Sequence, residues 1–266
     1  MRLLGLVFVL IAWLPAASGQ TISALAWLDD PEGALDWEQA RDAEQWTGYE
    51  GLLSRGYGAS VVWVRVTLQS EAGSRTGSDE LHILRMQPAY LDEVMVFDPA
   101  AAGQPALVVG DHHHPALDPI RGPAFYYPVP QSAATRDLFL RLQSTSTRQL
   151  LLDLHDPRSL ATAETRQRVL SAGYLGVICV LIVWAGFHWL LSRDRLSGIF
   201  ALSQVAALLY ALCALGYLRV LWPDHWPVWM LDDYLSVMAM LAVAISVTFH
   251  LRFLLEFDPP RPARLV

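Results

Sequence analysis

Lysine is missing from this sequence: all 19 basic residues are arginine. No basic run is present to neutralise phosphates and the formal net charge is −7, which excludes a nucleic-acid-binding role. Cysteine is almost missing too. The two that occur, Cys179 and Cys213, lie inside long apolar runs, so the polar half of the chain has no disulfide available. Charge of either sign is scarce. Charged residues make up 17% of the chain and hydrophobic ones 53%, whereas a soluble domain carries about 25% charge; that balance excludes an ordinary cytosolic enzyme. Nucleophile elbows, phosphate-binding loops, dinucleotide fingerprints and Cys/His zinc spacings are absent. No catalytic residue, metal-ligand set or cofactor is therefore assigned.

What charge there is sits unevenly. Residues 20–165 hold 20 acidic and 10 basic side chains, net −10, whereas everything from Arg166 onward is net +2. An acidic polar half is thus joined to an apolar half. Within 164–258 three runs are long enough to cross a bilayer: 169–191, 197–221 and 234–255. Each has about 22–25 residues, enough for a ~30 Å hydrocarbon core with some tilt. The first has no acidic residue or arginine, and the others carry only Arg219 and Arg252, each close to one end. At the N-terminus, Arg2, the apolar Leu3 to Leu14 and the small residues up to Gly19 read as a secretory signal peptide, 1–19.

Export of the polar half fixes the orientation. The turn 192–196 faces inward, the loop 222–233 with Asp224, Asp232 and Asp233 faces outward, and the tail 259–266 is cytoplasmic. Trp222, Trp226, Trp229 and Tyr234 are expected at the outer headgroup level. These readings predict a multi-pass protein of the bacterial inner membrane with its N-terminal domain, 20–163, in the periplasm.

In that domain the hydrophobic period changes to two. Val62, Val64, Val66 and Leu68 fall on one face of a strand and Trp63, Arg65 and Thr67 on the other, a half-buried pattern. Further strands are expected over 81–86, 91–97, 106–109, 124–129, 138–142 and 149–154, separated by turn-rich breaks. Short strands at this spacing predict an antiparallel β-sandwich. At roughly 145 residues it can be held by its apolar core alone. Asp36 is expected to cap a short helix beginning at Trp37.

Several polar clusters invite a chemical reading. In Asp111-His112-His113-His114, successive residues of an extended chain point alternately, so at most two imidazoles face one ion; a solvated loop is the simpler reading. His188 and His250 lie at similar depth in the first and third spans, a spacing that can ligate haem iron. Hydrogen bonding between helices explains them more cheaply. Trp63, Arg65, Tyr90, Asp92, Tyr126 and Tyr127 are candidate ligand-binding residues, since rings stack on sugar faces while Arg or Asp fixes hydroxyls. Against this stands ordinary sandwich packing, with Arg65 paired to Asp92 across strands. An exported hydrolase would need close catalytic carboxylates, and Glu38, Glu50, Asp92 and Glu93 offer no recognisable pairing.

Three segments of the exported half carry a resemblance: Trp27-Leu28-Asp29-Asp30-Pro31, Gly56-Tyr57-Gly58 leading into Trp63-Val64-Arg65, and Leu91 to Phe97. With Gly173-Tyr174-Leu175-Gly176, Arg193-Asp194, Gly216-Tyr217 and His250 to Leu254 in the membrane half, the chain resembles the bacterial seven-transmembrane receptors with diverse intracellular signalling modules. The resemblance implies a jelly-roll sandwich similar to carbohydrate-binding modules. It also implies seven spans leading to a cytoplasmic output such as a diguanylate cyclase or histidine kinase. This sequence has three spans and no output domain, so an output supplied by another chain and a truncated receptor are both expected arrangements. The expected function is sensing of an extracellular small molecule or glycan, relayed through helices in the lipid bilayer. Expected partners are a second copy of the chain or a separate signalling output protein. A membrane-anchored binding or scaffold subunit is the alternative.

Overall fold

The computed structural model describes residues 20–58, 60–70, 81–99, 104–130 and 134–256. The signal peptide and the cytoplasmic tail expected from sequence lie outside the described residues. Among the described residues ten strands form two antiparallel sheets. The first strand, β1 (Gln20–Asp30), pairs on one side with the short β2 (Thr47–Tyr49) and on the other with β4 (Val61–Ser70). Beyond β4 follow β9 (Arg136–Gln143), β6 (Glu93–Phe97) and β7 (Leu107–Val109), closing a six-stranded sheet. The second sheet runs β3 (Leu53–Ser54), β10 (Gln149–His155), β5 (His82–Gln87) and β8 (Phe125–Val129). Neighbours are often distant in sequence, so the chain crosses repeatedly between the two layers.

The core between the sheets is built by the alternation read from sequence. Val62, Val64, Val66 and Leu68 of β4 are fully buried and meet Leu138, Leu140 and Leu142 of β9, Leu84 and Met86 of β5, and Phe125 and Tyr127 of β8. Strand β4 is buried on its second face as well. There Val61 and Trp63 pack with Phe97, Phe139 and Ala40, because the helix α1 (Trp37–Asp42) lies over the sheet. Asp36 caps α1 as expected, accepting from the Gln39 backbone N–H while the Gln39 side chain accepts from Asp36 N–H. The half-buried expectation for this strand is corrected by α1, which hides Trp63.

Strand β1, the longest, does not show in the sequence pattern. Its register slips between Ile22 and Ala24, and one inserted residue moves every later side chain to the opposite face. No single period-2 pattern spans it.

Four helices follow. Strand β10 runs into α2 (Pro157–Ser192) through one residue, Asp156, whose carboxylate accepts from the backbone N–H groups of Arg158 and Ser159 at 2.7 and 2.9 Å. Helix α3 (Arg195–Ala214) returns antiparallel across a turn capped by Asp194, which accepts from Leu196 and Ser197 N–H. A five-residue helix, α4 (Tyr217–Leu221), and the long α5 (Trp229–Glu256) complete the chain. Among the described residues α2, α3 and α5 are long and apolar enough to cross a membrane. Their large apolar side chains, among them Val169, Trp184, Phe187, Met240 and Leu255, point outward, as lipid-facing residues do.

The three long helices have different bounds from the runs read in sequence. The run expected over 197–221 ends as a helix at Ala214, because Gly216 takes the left-handed φ of +77° and turns the chain out of the helix axis. Helix α2 begins at Pro157, inside residues expected to belong to the sandwich. Its 36 residues make a rod of about 54 Å, longer than a ~30 Å hydrocarbon core.

Candidate functional site: the sandwich–membrane joint

The excess length of α2 stands against the second sheet. Tyr126 on β8 donates to Glu164 Oε1 at 2.5 Å, and Glu164 pairs with Arg168 one turn on. Arg85 and Gln87 of β5 both reach Gln167 at 3.3 Å, while Arg85 also holds Asp153 of β10 at 2.8 Å. These contacts fix the first three turns of α2 to the sandwich.

A second seam lies at the far end of α3. Arg219, on α4, leaves the membrane region and enters the sandwich. Its guanidinium lies 2.8 Å from both carboxylate oxygens of Asp118, and its Nε lies 3.0 Å from Oδ2. It also donates to the Gly110 carbonyl at 2.6 Å and stands over the Phe125 ring, 4.9 Å from the centroid. Both side chains are buried, at 2% and 4% exposure. Burial pushes the Asp118 carboxyl above its ordinary value, outweighing the opposing pull of Arg219. Desolvation therefore weighs heavily against the ion pair, which defines a position more than it adds net stability. Around it, Arg121 pairs with Asp224 at 2.9 Å and donates to the Trp222 carbonyl. Gly216 packs against Pro123 so closely that a Cβ would overlap the proline carbonyl oxygen.

Trp222 is buried in this seam and meets Trp226 edge-on. An interfacial tryptophan facing headgroups is expected to be exposed, and the Trp222 ring is instead enclosed by protein. Trp226 and Trp229 remain exposed.

The six candidate ligand residues read from sequence do not converge. Trp63 is core beneath α1. Arg65 stacks on Trp46, 5.0 Å from its ring centroid, and does not pair with Asp92. Tyr126 faces α2, whereas Tyr127 lies in the core between the sheets and donates to Asp98 at 3.3 Å. Tyr90 lines a cavity of about 20 Å³ between the sandwich and the residues Cys213, Gly216 and Leu231, room for one water at most.

Asp92 is a structural clamp. Its carboxylate accepts from the Ser144 hydroxyl at 2.6 Å and from the Thr145 N–H and hydroxyl, both at 2.8 Å, tying the β9–β10 loop to β6. Burial pushes this carboxyl up, but the three hydrogen bonds more than offset it and leave it below its ordinary value. The ionised clamp thus stabilises fully above the unfolded value of about 3.9 and is lost as pH falls through the lower folded value. Tryptophan fluorescence of the full chain in detergent should show an acid unfolding limb below about pH 4, and Asp92→Asn should flatten it.

The histidine cluster disperses. His113 pairs with Glu93 at 3.2 Å, and His114 Nδ1 accepts from Ala116 N–H at 3.2 Å. Among the described residues no three His, Cys, Asp or Glu side chains are grouped to hold a metal ion. His188 bonds Ser197 on α3 at 2.9 Å and His250 bonds the Ser246 carbonyl of its own helix at 2.7 Å.

Sequence comparison agrees with this two-part architecture. Residues 23–156 match the family model described as 7TMR-DISM extracellular 2, and residues 167–266 match that described as 7TM diverse intracellular signalling. The chain belongs to this receptor family. No curated protein matches it. The boundary between the two matched segments, 157–166, lies within the part of α2 that stands against the sandwich, which runs on to Gln167. In this receptor chain, then, the extracellular and membrane parts meet at two polar seams, one on α2 and one on α4. The residues of the second seam are the ones sequence reading missed. Their signal is Arg219 itself: a lone arginine in an apolar run marks a functional partner by default.

Proposed function

We propose that the chain is a membrane-bound sensing module whose periplasmic β-sandwich, of jelly-roll type, binds an extracellular small molecule, a carbohydrate being the first candidate class. Binding changes how the sandwich seats on the membrane helices, and the helices carry that change to a cytoplasmic output such as a diguanylate cyclase or histidine kinase. The observation that supports this most is the buried Arg219–Asp118 pair, which joins a sandwich loop to a short helix between two spans. A ligand shifts such a joint only by its different affinity for the two seatings.

The topology this requires is a bacterial inner-membrane protein with its sandwich outside and the α2–α3 turn inside. Alkaline phosphatase fused after Asp153 or Asp224 should be active, and fused after Arg193 inactive. Inactive fusions at Asp153 would overturn the reading. For sensing itself, a panel of neutral glycans should raise the melting temperature of the full chain in detergent and alter hydrogen exchange at 110–123. Stabilisation by no member of the panel counts against the carbohydrate class, and a stabilising ligand that leaves 110–123 unchanged counts against the relay.

A further inference from the structure

Four connections of the sandwich gather at one end. The Asp111 and His112 N–H groups bond the Leu91 and Asp92 carbonyls, and Arg55 N–H bonds the Arg148 carbonyl. Asp92 in turn holds Ser144 and Thr145. The β3–β4, β5–β6, β7–β8 and β9–β10 connections are thereby tied together. Arg219 enters at that same end, through Asp118 and the Gly110 carbonyl. Its helix, α4, lies between Ala214, where α3 stops, and Trp229, where α5 starts. This end of the sandwich therefore faces the outer ends of the spans.

Two side chains stand out there. Tyr57 is 79% exposed and Leu117 78%, more than any other large apolar side chain among the described residues, those on the flanks of α2, α3 and α5 included. An isolated exposed apolar residue is ordinary on a wet surface, but these two share the end that stands over the helices. Leu117 immediately precedes Asp118, the partner of Arg219, and Arg121 beyond it holds Asp224 between α4 and α5. Burial raises the Tyr90 hydroxyl above its ordinary value, and the hydroxyls of Tyr210 and Tyr57 add to the rise. Tyr90 thus lies within electrostatic reach of both the β3–β4 loop and the outer part of α3.

The surroundings suit a phospholipid surface. Trp226 and Trp229 are exposed beside the start of α5, and such rings favour the headgroup region. On α2, Arg166 is exposed just before the outward-pointing Val169, where its guanidinium can meet lipid phosphate. A tyrosine ring and a leucine at this level match the boundary between headgroups and acyl chains.

We propose that this end of the sandwich rests on the outer leaflet of the bilayer, with Leu117 and Tyr57 inserted among phospholipid headgroups. The contact needs α2, α3 and α5 to cross the membrane but needs no ligand, so it is independent of the sensing reading. It gives the sandwich a third hold beside the two polar seams, one whose strength is set by lipid.

The full chain carrying the photoreactive residue p-benzoylphenylalanine in place of Tyr57 or Leu117, in nanodiscs of radiolabelled phosphatidylethanolamine and phosphatidylglycerol, tests this. Gln69 is the control: it is exposed and lies along β4 from Val61, about 26 Å away at ~3.3 Å per residue. Labels at 57 and 117 should each give roughly five-fold more lipid adduct than a label at 69, as befits side chains reaching about 5–10 Å into the headgroup boundary. Val183, exposed on α2, is the positive control. No lipid adduct there means that the spans are not in the bilayer, and the contact fails with them. Labelling at 57 or 117 no stronger than at 69 overturns the contact while the spans and the sensing reading stand. Protein dimers in place of lipid adducts would give this end to a second copy of the chain and overturn it as well.

Discussion

Arg219→Ala, with Asp118 left in place, is expected to weaken the joint between sandwich and membrane helices by about 3–5 kcal/mol, the cost of stranding one charge of a buried pair. The exposure of both side chains is a few per cent, so water cannot take the missing partner's place. Three interactions end together: the contacts to both Asp118 oxygens, the bond to the Gly110 carbonyl, and the cation–π contact with Phe125. Loss of hydrogen-exchange protection at 110–123 and 217–221, in the full chain in detergent, is the measurement. The double variant Arg219→Met with Asp118→Leu should recover most of that protection, because apolar replacements of similar volume escape the desolvation cost. Unchanged exchange in Arg219→Ala would remove the joint from the signalling path.

Gly216→Ala carries the second largest effect. The residue holds a φ of +77°, which costs a side-chain-bearing residue about 1–3 kcal/mol. The added methyl would also overlap the Pro123 carbonyl, with Pro123 Cα at 2.9 Å. Neither neighbour is a flexible side-chain end, so the sandwich itself must move. Hydrogen exchange of the full chain in detergent reports this. Protection at 120–124 and 214–218 should fall in Gly216→Ala relative to the unaltered chain. Equal protection would show that the close approach tolerates a methyl.

Much of this architecture is legible in the sequence where a single period prevails. The alternation of Val62 to Leu68 announces β4, the turn-rich breaks locate β5 to β10 within a residue or two, and the Asp36 cap of α1 follows from its side-chain chemistry. What escapes is whatever depends on long-range contact. The register slip at Ile22/Ala24 hides β1 by mixing two alternations. The exposure of Trp63 cannot be judged without knowing that α1 folds over it. Arg219 lies in an apolar run whose length suits a span, and only its partner Asp118, about a hundred positions earlier, shows that the helix has already ended. The six ligand candidates share residue chemistry but scatter among core, joint and outer face.

The connection between β10 and α2 contains one residue, and it is a helix cap. Such a coupling has no slack. Any torque on the second sheet turns the whole of α2 as an axle, and a tilt there swings Ser192, about 54 Å distant, through an arc much larger than the motion that caused it. Two glycines inserted at Asp156 would take that rigidity out of the main chain and leave only the side-chain grips at Glu164 and Gln167 to turn the shaft.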